Sequence, residues 1–165
     1  MGADGLISSH MVTHHKRYLA TEQDTLALGA ALALGIHPGM VVHLCGELGA
    51  GKTTLAHGLL HELGWPGRVK SPTFTLVEPY IISSLYLYHF DFYRFGRSDE
   101  WAEMGFREYF TPASVCLIEW PEKAGGRLPE PDILIALSIN GDGRDAAVIV
   151  YTEAGRDCIT RLRDY

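Results

Sequence analysis

The chain contains the stretch Gly46-Glu47-Leu48-Gly49-Ala50-Gly51-Lys52-Thr53, which matches G-x-x-x-x-G-K-[ST], the pattern of a phosphate-binding P-loop. An apolar run from Met40 to Cys45 stands directly before it and predicts a strand. Directly after it, the leucine spacing from Thr54 to Leu63 predicts a helix that ends at Gly64. The motif therefore has the strand–loop–helix context that a nucleoside-triphosphate site requires.

The chemistry of this loop comes from its backbone. The glycines at 46, 49 and 51 tolerate positive φ, which lets consecutive N–H groups form an anion-binding nest at the start of the helix. We expect Lys52 to add a positive charge at the β- and γ-phosphates and the Thr53 hydroxyl to ligate Mg²⁺. Thr54 either contacts the α-phosphate or starts the helix. The predicted phosphate-binding residues are Glu47, Leu48, Gly49, Ala50, Gly51, Lys52, Thr53 and Thr54.

A P-loop also needs a carboxylate at the end of a neighbouring strand, and two residues compete for this position. Glu119 ends the apolar run 115–118, which is the Walker B pattern with Glu in place of Asp. Asp91 ends the alternating strand 85–90. The pattern favours Glu119 as a metal ligand, directly or through water. Asp91 would position water, hold a switch loop or ligate through water, or else bond structurally to Tyr93 or Arg94.

Ser71 and Thr73 lie after the predicted P-loop helix, on either side of Pro72. Many P-loop hydrolases carry a γ-phosphate sensor in the corresponding loop, and we favour that interpretation. The alternative is a plain turn with local Ser/Thr hydrogen bonds.

Two histidines, His57 and His61, are spaced i and i+4 on the predicted P-loop helix. This spacing suits a metal pair, but the H-E-x-x-H order of a catalytic zinc site is absent. We interpret them as surface histidines.

An arginine in cis could stabilise the charge that develops during phosphoryl transfer. The candidates are Arg94, Arg107, Arg127 and Arg144. The sequence does not distinguish among them, and each is otherwise a solvated surface residue.

Composition limits the class of protein. The first ten residues, MGADGLISSH, are polar and small and run into Ser-Ser-His-Met, so we expect residues 1–10 to be a cloning leader. With 165 residues, 47% hydrophobic and 21% charged, we expect residues 11–165 to form one domain. No apolar stretch approaches the roughly 20 residues that cross a bilayer.

The net charge of −6 and the absence of a basic cluster predict no tight binding of nucleic acid by the chain alone. Three separated cysteines without a C-x-x-C pair are typical of a reducing, cytoplasmic protein.

The remaining patterns predict the fold class. Thr21 caps a predicted helix from Glu22 to Leu34, although a second role beside a bound base is open, and Ser98 is expected to cap a short helix through Met104. The segment 140–143 (NGDG) separates two alternating runs and predicts a hairpin. We therefore expect a three-layer α/β P-loop NTPase fold with a mixed sheet that is parallel at the nucleotide site and partly antiparallel elsewhere.

Absent motifs narrow the nucleotide. Asn140 is the only asparagine and precedes Gly141, so no N-K-x-D guanine motif exists. No Asp stands three residues before a Gly, so the D-x-x-G switch of GTPases is missing as well. Adenine is therefore the favoured base.

Four ordered segments resemble the successive motifs of the TsaE family, from about Thr21 to at least Arg144. These segments are GELGAGKTT at 46–54, KSPTFTLV at 70–77, YHFDFYR at 88–94 and LIEW at 117–120. The resemblance implies a bacterial ATPase that binds ATP or ADP with Mg²⁺, hydrolyses ATP slowly alone, and supports formation of threonylcarbamoyladenosine in tRNA. It also implies that the chain acts with TsaD and TsaB and reaches tRNA through that complex.

The same resemblance assigns expected roles to individual residues. It places Thr53 and Glu119 at the metal, Lys52 at the phosphates and Asp91 in the catalytic neighbourhood. Trp120 is expected near the site. Thr21 and Arg144 fall where the family contacts the nucleotide.

Two other classes share the P-loop. A small-molecule kinase would also need an arginine-bearing lid and a second substrate pocket, and the sequence indicates neither of them. A nucleotide-gated interaction protein would bind ATP without meaningful turnover.

Overall fold

The structure is a computed structural model that describes residues 13–164, so the expected leader and its boundary at 10/11 lie outside the described residues. The elements in chain order are β1 (Thr13–Leu19), α1 (Glu22–Ala33), β2 (Val41–Cys45), α2 (Lys52–Leu63), β3 (Val77–Ile82), β4 (Leu85–Asp91), α3 (Glu100–Glu103), β5 (Ser114–Glu119), β6 (Ile133–Asn140), β7 (Gly143–Val150) and α4 (Glu153–Thr160). Short 3₁₀ segments span Phe106–Tyr109, Pro121–Arg127 and Arg161–Asp164.

The seven strands form one sheet in the order β1-β7-β6-β2-β5-β4-β3. Its centre, β6-β2-β5-β4, is parallel, whereas β3 on one edge and β7 and β1 on the other are antiparallel to their neighbours. The expected mixed sheet is thus confirmed. Because β2, β4 and β5 are parallel, their carboxyl ends meet at one edge of the sheet, and the P-loop starts there.

Side-chain alternation along the central strands separates two cores. On one face, Leu87 of β4 and Leu117 of β5 pack with residues of α1 and α2. On the other face, Phe90 and Ile118 pack in an aromatic cluster with Trp101 of α3 and residues of the 3₁₀ segments. Helices therefore lie on both faces, and the layer on the aromatic face is made of short helices.

The two helices beside the P-loop approach each other unusually closely. A Cβ atom added at Gly29 of α1 would lie 2.1 Å from the carbonyl oxygen of Leu55, and one added at Gly58 of α2 would lie 2.0 Å from that of Leu26. Two glycines, one from each helix, therefore allow backbone-to-backbone contact. This contact sets how closely α1 and α2 pack together.

Several boundaries differ from the sequence-based expectations. The predicted Ser98 cap is wrong, because α3 begins at Glu100 after Asp99 and has no side-chain cap. Instead, Glu100 accepts hydrogen bonds from the backbone N–H groups of Gly96 and Arg97, at 2.9 and 2.8 Å. The P-loop helix starts at Lys52, two residues earlier than predicted.

Two edge strands were not predicted from the sequence. In β1 the segment THHKRYL is mostly polar, and in β3 the segment VEPYII contains Pro79. Edge strands tolerate both features, since one side of their backbone does not pair. The predicted hairpin is confirmed as β6–β7, with Asn140 opposite Gly143.

Candidate nucleotide-binding site

The P-loop connects β2 to α2 through glycines in the conformations that a nest requires. Gly46, Gly49 and Gly51 have φ values of 148°, 79° and 106°. Gly51 directly precedes the first residue of α2, so the loop ends at a helix N-terminus. Such a terminus offers N–H groups without intrahelical partners, which suit a phosphate group.

The Lys52 side chain is held inside this loop. Lys52 is only 5% exposed, and its Nζ donates to the carbonyl oxygens of Gly46 and of Glu47, the latter at 3.0 Å. Burial lowers the pKa of Lys52, while the nearby carboxylates of Glu119 and Glu122 act in the opposite direction. The ammonium group therefore stands in the loop with acidic neighbours that favour its charged form.

The Thr53 hydroxyl, in the first turn of α2, contacts the carboxylate of Glu119 at the end of β5. Its Oγ1 lies 3.2 Å from Oε1 and 3.1 Å from Oε2 of Glu119, which is 3% exposed. A hydroxyl and a carboxylate are hard oxygen donors of the kind that Mg²⁺ prefers. The two residues expected at the metal are thus adjacent, and their chemistry fits that ion.

A residue missing from the sequence-based site, His89, contacts the same carboxylate. Its Nε2 lies 2.7 Å from Oε2 of Glu119, and the side chain is completely buried. The strand alternation that places Leu87 and Asp91 on the α2 side of β4 places His89 there too. That alternation was the available signal, but it does not identify the partner.

Asp91 is buried and engaged by two donors. Its Oδ1 accepts from the Tyr93 backbone N–H at 2.9 Å, and its Oδ2 accepts from the Thr73 hydroxyl at 3.3 Å. Burial raises the pKa of Asp91, and the Tyr93 N–H opposes that rise. The structural bond to Tyr93 and a link to the Ser71–Thr73 loop are therefore both present.

The Ser71–Thr73 loop makes a local hydrogen bond and also contacts Asp91. Ser71 and Thr73 join their hydroxyl oxygens at 2.8 Å, as a local turn would. Thr73 also reaches Asp91 and lines the cavity beside the P-loop. Thr73 therefore lies beside the P-loop, and the sensor role stays a prediction.

Trp120 lies beside the P-loop, as the resemblance implied. It has a left-handed φ of 57°, a conformation that costs a non-glycine residue about 1–2 kcal/mol. This turn brings its ring within 4.3 Å of Lys52 Nζ and 5.0 Å of the Tyr93 ring, measured to the centroid. Strain of this kind is typical of functional sites.

Two cavities meet at the loop. The first, of about 280 Å³, is lined by residues 48–54 and by Thr73, Asp91, Tyr93, Glu119 and Trp120. The second, of about 360 Å³, shares Gly49, Gly51 and Thr54 with the first and adds Thr21 and Arg144. Most of the predicted site residues therefore line one connected region. Glu47 lines neither cavity and takes part through its carbonyl.

The two residues that the resemblance places at the nucleotide, Thr21 and Arg144, have defined structural partners. Arg144 donates from Nη2 to the carbonyl oxygen of Gly49 at 3.0 Å, although the two are 95 residues apart in sequence. Thr21 is the predicted cap: its Oγ1 accepts from the Asp24 N–H at 3.2 Å, and the Asp24 carboxylate accepts from the Thr21 N–H at 3.1 Å. A capping residue can still face a ligand, since Thr21 lines the second cavity.

The other three candidate arginines are not in contact with the P-loop. Arg94 stacks over Phe74 at 4.1 Å and Arg107 over Trp101 at 5.3 Å, measured to the ring centroids, while Arg127 is exposed. Of the four candidates, Arg144 is the one that contacts the P-loop.

The two histidines of α2, His57 and His61, hydrogen-bond to the backbone of the segment that follows this helix. His57 bonds to the carbonyl of Val69 at 3.1 Å, and His61 bonds to that of Gly67 at 3.2 Å. Within residues 13–164, neither belongs to a cluster of three or more potential metal ligands.

Comparisons with known proteins match the chain along most of its length. The sequence model of a family described as "Threonylcarbamoyl adenosine biosynthesis protein TsaE" matches residues 19–146, a range that includes both Thr21 and Arg144. A protein of Haemophilus influenzae named tRNA threonylcarbamoyladenosine biosynthesis protein TsaE is 44% identical over 149 residues, covering 87% of this chain and 94% of the relative. A Bacillus subtilis protein of the same name is 39% identical over 133 residues, covering 81% and 82%.

The fold is also found in a solved structure. The crystal structure of Bacillus subtilis YdiB superposes with a TM-score of 0.77 at 31% sequence identity, covering 94% of this chain and 99% of that one.

Proposed function

The chain belongs to the TsaE family, which takes part in threonylcarbamoyladenosine biosynthesis, and on this premise we propose that it is a P-loop ATPase that binds Mg-ATP and Mg-ADP. One observation carries the proposal: the hydroxyl of Thr53, the last residue of the P-loop motif, lies 3.1–3.2 Å from the Glu119 carboxylate. This is the pairing of a P-loop hydroxyl with a strand-end carboxylate that a nucleotide-bound magnesium ion requires.

We place the phosphates of the nucleotide in the first cavity. The loop amides and Lys52 bind the β- and γ-phosphates, with Lys52 exchanging its loop carbonyls for phosphate oxygens. Thr53 and Glu119 would hold Mg²⁺, which neutralises charge on the phosphate oxygens. Asp91 and Thr73, which line the same cavity, orient the attacking water or respond to the γ-phosphate.

We place the ribose and base of the nucleotide in the second cavity. It begins at Gly49, Gly51 and Thr54, where the phosphate site ends, and extends to Thr21 and Arg144. A nucleotide whose phosphates lie on the P-loop would place its ribose and base there. Together with the missing guanine motifs, this arrangement supports an adenine nucleotide.

Partners complete the proposal. Arg94 and Arg107 stack on aromatic rings and Arg144 lines the nucleoside cavity, so these arginines are not directed at the phosphate cavity. That arrangement supports slow hydrolysis by the chain alone, since none of the four candidate arginines lines the first cavity. The expected partners, TsaD and TsaB, come from the resemblance to the TsaE family, and we propose that they stimulate hydrolysis. The net charge of −6 supports contact with tRNA through this complex and not through the chain itself.

The setting of the proposed reaction is the cytoplasm, where tRNA is modified. All three cysteines are free, which agrees with a reducing compartment. Among residues 13–164, none of the helices has both the length and the hydrophobicity needed to cross a membrane.

The proposal is tested by measuring Mg-ATP and Mg-ADP binding by calorimetry and release of inorganic phosphate by the chain alone, with TsaD and TsaB, and with tRNA added. We expect saturable binding, slow release alone, and faster release with partners. Lys52→Ala should weaken binding and lower turnover by about 10²–10³-fold, as loss of one preorganised donor does. Absence of nucleotide binding by the unaltered chain would overturn the proposal.

The same assay separates the two other classes. Transfer of the γ-phosphate to a metabolite, with no free phosphate, would identify a kinase. ATP-dependent partner binding that is equal with a non-hydrolysable analogue, with no turnover in any mixture, would identify a nucleotide-gated interaction protein.

A further inference from the structure

His89 and Glu119 form a buried pair that joins two strands of the sheet. They lie on neighbouring parallel strands, β4 and β5, where His89 is opposite Leu117 and Asp91 is opposite Glu119. His89 is 0% exposed and Glu119 is 3% exposed, and their closest atoms, Nε2 and Oε2, are 2.7 Å apart. Since a carboxylate oxygen accepts, the ring N–H at Nε2 donates.

The histidine is costly at this position. Its second ring nitrogen, Nδ1, is buried and has no hydrogen-bond partner among the described residues. An unpaired buried polar atom costs about 1–3 kcal/mol. The preceding residue on the same strand face, Leu87, is apolar and equally buried, so an apolar side chain would suit the core better. The bond to Glu119 is the gain that offsets the cost.

The bond acts on a side chain that needs orientation. The terminal torsion of a glutamate is broad, so its carboxylate plane is not fixed by rotamer preference. In this structure the plane is fixed by two groups, the Thr53 hydroxyl on one side and His89 on Oε2. If Thr53 turned its hydroxyl toward a metal ion, His89 would be the donor that still holds Glu119.

We propose that His89 is a positioning residue, which orients the Glu119 carboxylate toward the metal side of the nucleotide site through the bond from Nε2. His89 does not touch the cavity-lining surface itself, since it is absent from the walls of the cavity that Glu119 lines. This inference rests on the proposed Mg-nucleotide function. Histidines and carboxylates that orient a metal ligand typically change metal affinity or activity by about 10–100-fold when they are replaced.

The test compares three variants by the binding of a fluorescent ADP analogue, first in EDTA and then in a Mg²⁺ titration. His89→Met fills the space without a donor. His89→Gln can place an N–H near the position of Nε2, and His89→Asn carries its N–H near Nδ1, too far back to reach Glu119. Thermal denaturation of each variant checks that it is folded.

We expect His89→Met and His89→Asn to raise the Mg²⁺ concentration for half-maximal effect by about 10–100-fold, with unchanged affinity in EDTA. His89→Gln should restore the response to within about threefold of the unaltered chain. In a Glu119→Gln background, the His89→Met change should no longer alter the Mg²⁺ response. If His89→Met does not fold, His89→Asn decides by the same criterion.

The inference is overturned if the non-donor variants keep the original Mg²⁺ response, or if His89→Gln behaves like them. If His89 were purely structural, the variants would change in Tm but would keep the Mg²⁺ response of the unaltered chain. If Mg²⁺ has no effect on nucleotide binding by the unaltered chain, it is the proposed function that fails.

Discussion

Asp91 and Glu119 are direct register partners at the ends of the adjacent parallel strands β4 and β5, so two buried carboxyl groups enter one cavity from neighbouring backbones. Their hydrogen-bond partners differ. Glu119 contacts Thr53 of the P-loop helix and His89, whereas Asp91 contacts the Tyr93 backbone and the Thr73 hydroxyl. The contacts support a division in which Glu119 serves the metal and Asp91 serves the water or the Thr73 loop.

This division predicts different effects of neutralising each carboxylate. Glu119→Gln should shift the Mg²⁺ dependence of ADP binding, because it neutralises the carboxylate that we propose as a metal ligand. Asp91→Asn should leave that dependence unchanged and lower partner-stimulated phosphate release by about 10²-fold, the usual scale for an acid–base or positioning group. A metal titration that moves with Asp91→Asn and not with Glu119→Gln would reverse the assignment.

Asp91→Asn should also keep or raise the Tm. Burial raises the pKa of Asp91 in the folded state, so ionisation at neutral pH opposes folding. Asparagine removes that charge, yet it can accept from the Tyr93 N–H and donate to the Thr73 oxygen. The stability gain should be largest at neutral pH and should shrink as the pH falls and Asp91 becomes protonated. A clear loss of Tm in neutral buffer would show that the charge itself is stabilising.

The Thr73 hydroxyl should matter more than that of Ser71. Thr73→Val keeps the shape and removes the bond to Asp91, so we expect partner-stimulated turnover to fall by about tenfold, the size of one hydrogen bond to a charged group. Ser71→Ala removes only the bond between the two hydroxyls and serves as the matched control. Steady-state phosphate release measures both. Equal effects of the two changes would favour a plain turn.

Arg144 should contribute to binding of the nucleoside and not of the phosphates. Arg144→Ala removes the guanidinium from the second cavity, so ADP affinity should fall by about tenfold while pyrophosphate affinity stays the same. Arg127→Ala, at an exposed position, controls for the loss of one positive charge. Competition against a fluorescent nucleotide gives both affinities. An equal loss for ADP and pyrophosphate would indicate that Arg144 acts through the P-loop carbonyl of Gly49.

The glycine contact between α1 and α2 predicts a reversal of the usual effect of Gly→Ala. In a helix this change normally stabilises by about 0.5–1 kcal/mol. At Gly58 the new methyl would lie 2.0 Å from the Leu26 carbonyl oxygen, so we expect a loss of about 1–3 kcal/mol or more. Gly126→Ala is the control, because that site has φ −81° and no atom within 4 Å of a new Cβ. Urea denaturation measures both; a Gly58→Ala protein of unchanged stability would mean that the helices can separate without cost.

His43 predicts a pH-dependent loss of stability. Burial lowers the pKa of His43 from 6.5 to about 4, and its Nε2 has no partner among the described residues. Between these values the unfolded state binds a proton that the folded state does not, so stability is full above pH 6.5 and falls as the pH drops toward 4. The full effect is on the order of 3 kcal/mol.

His43→Leu should remove this contribution to the pH dependence of unfolding. His37→Gln, at an exposed histidine, should leave it in place. The measurement is the free energy of unfolding in urea at a series of pH values for the three proteins. Parallel curves for His43→Leu and the unaltered chain would exclude His43 as the cause.

Local features of this molecule were predictable from the sequence because their parts are close along the chain. The P-loop of residues 46–53 runs from the end of β2 into the first residues of α2, the Thr21 cap bonds within one helical turn, and the hairpin turn precedes Gly143. The carboxylates at Asp91 and Glu119 were also found, since each ends a strand that its own alternation or apolar run identifies.

Contacts between distant segments were decided only by the tertiary structure. The order of the strands sets Asp91 opposite Glu119 and brings His89 to a carboxylate 30 residues away. Helix packing brings Gly58 onto Leu26, and strand β7 carries Arg144 to the P-loop. A side chain's own sequence neighbourhood encodes its backbone conformation and the face it occupies. Its partner across the sheet depends on which strands pair, and that is fixed by burial of the whole core.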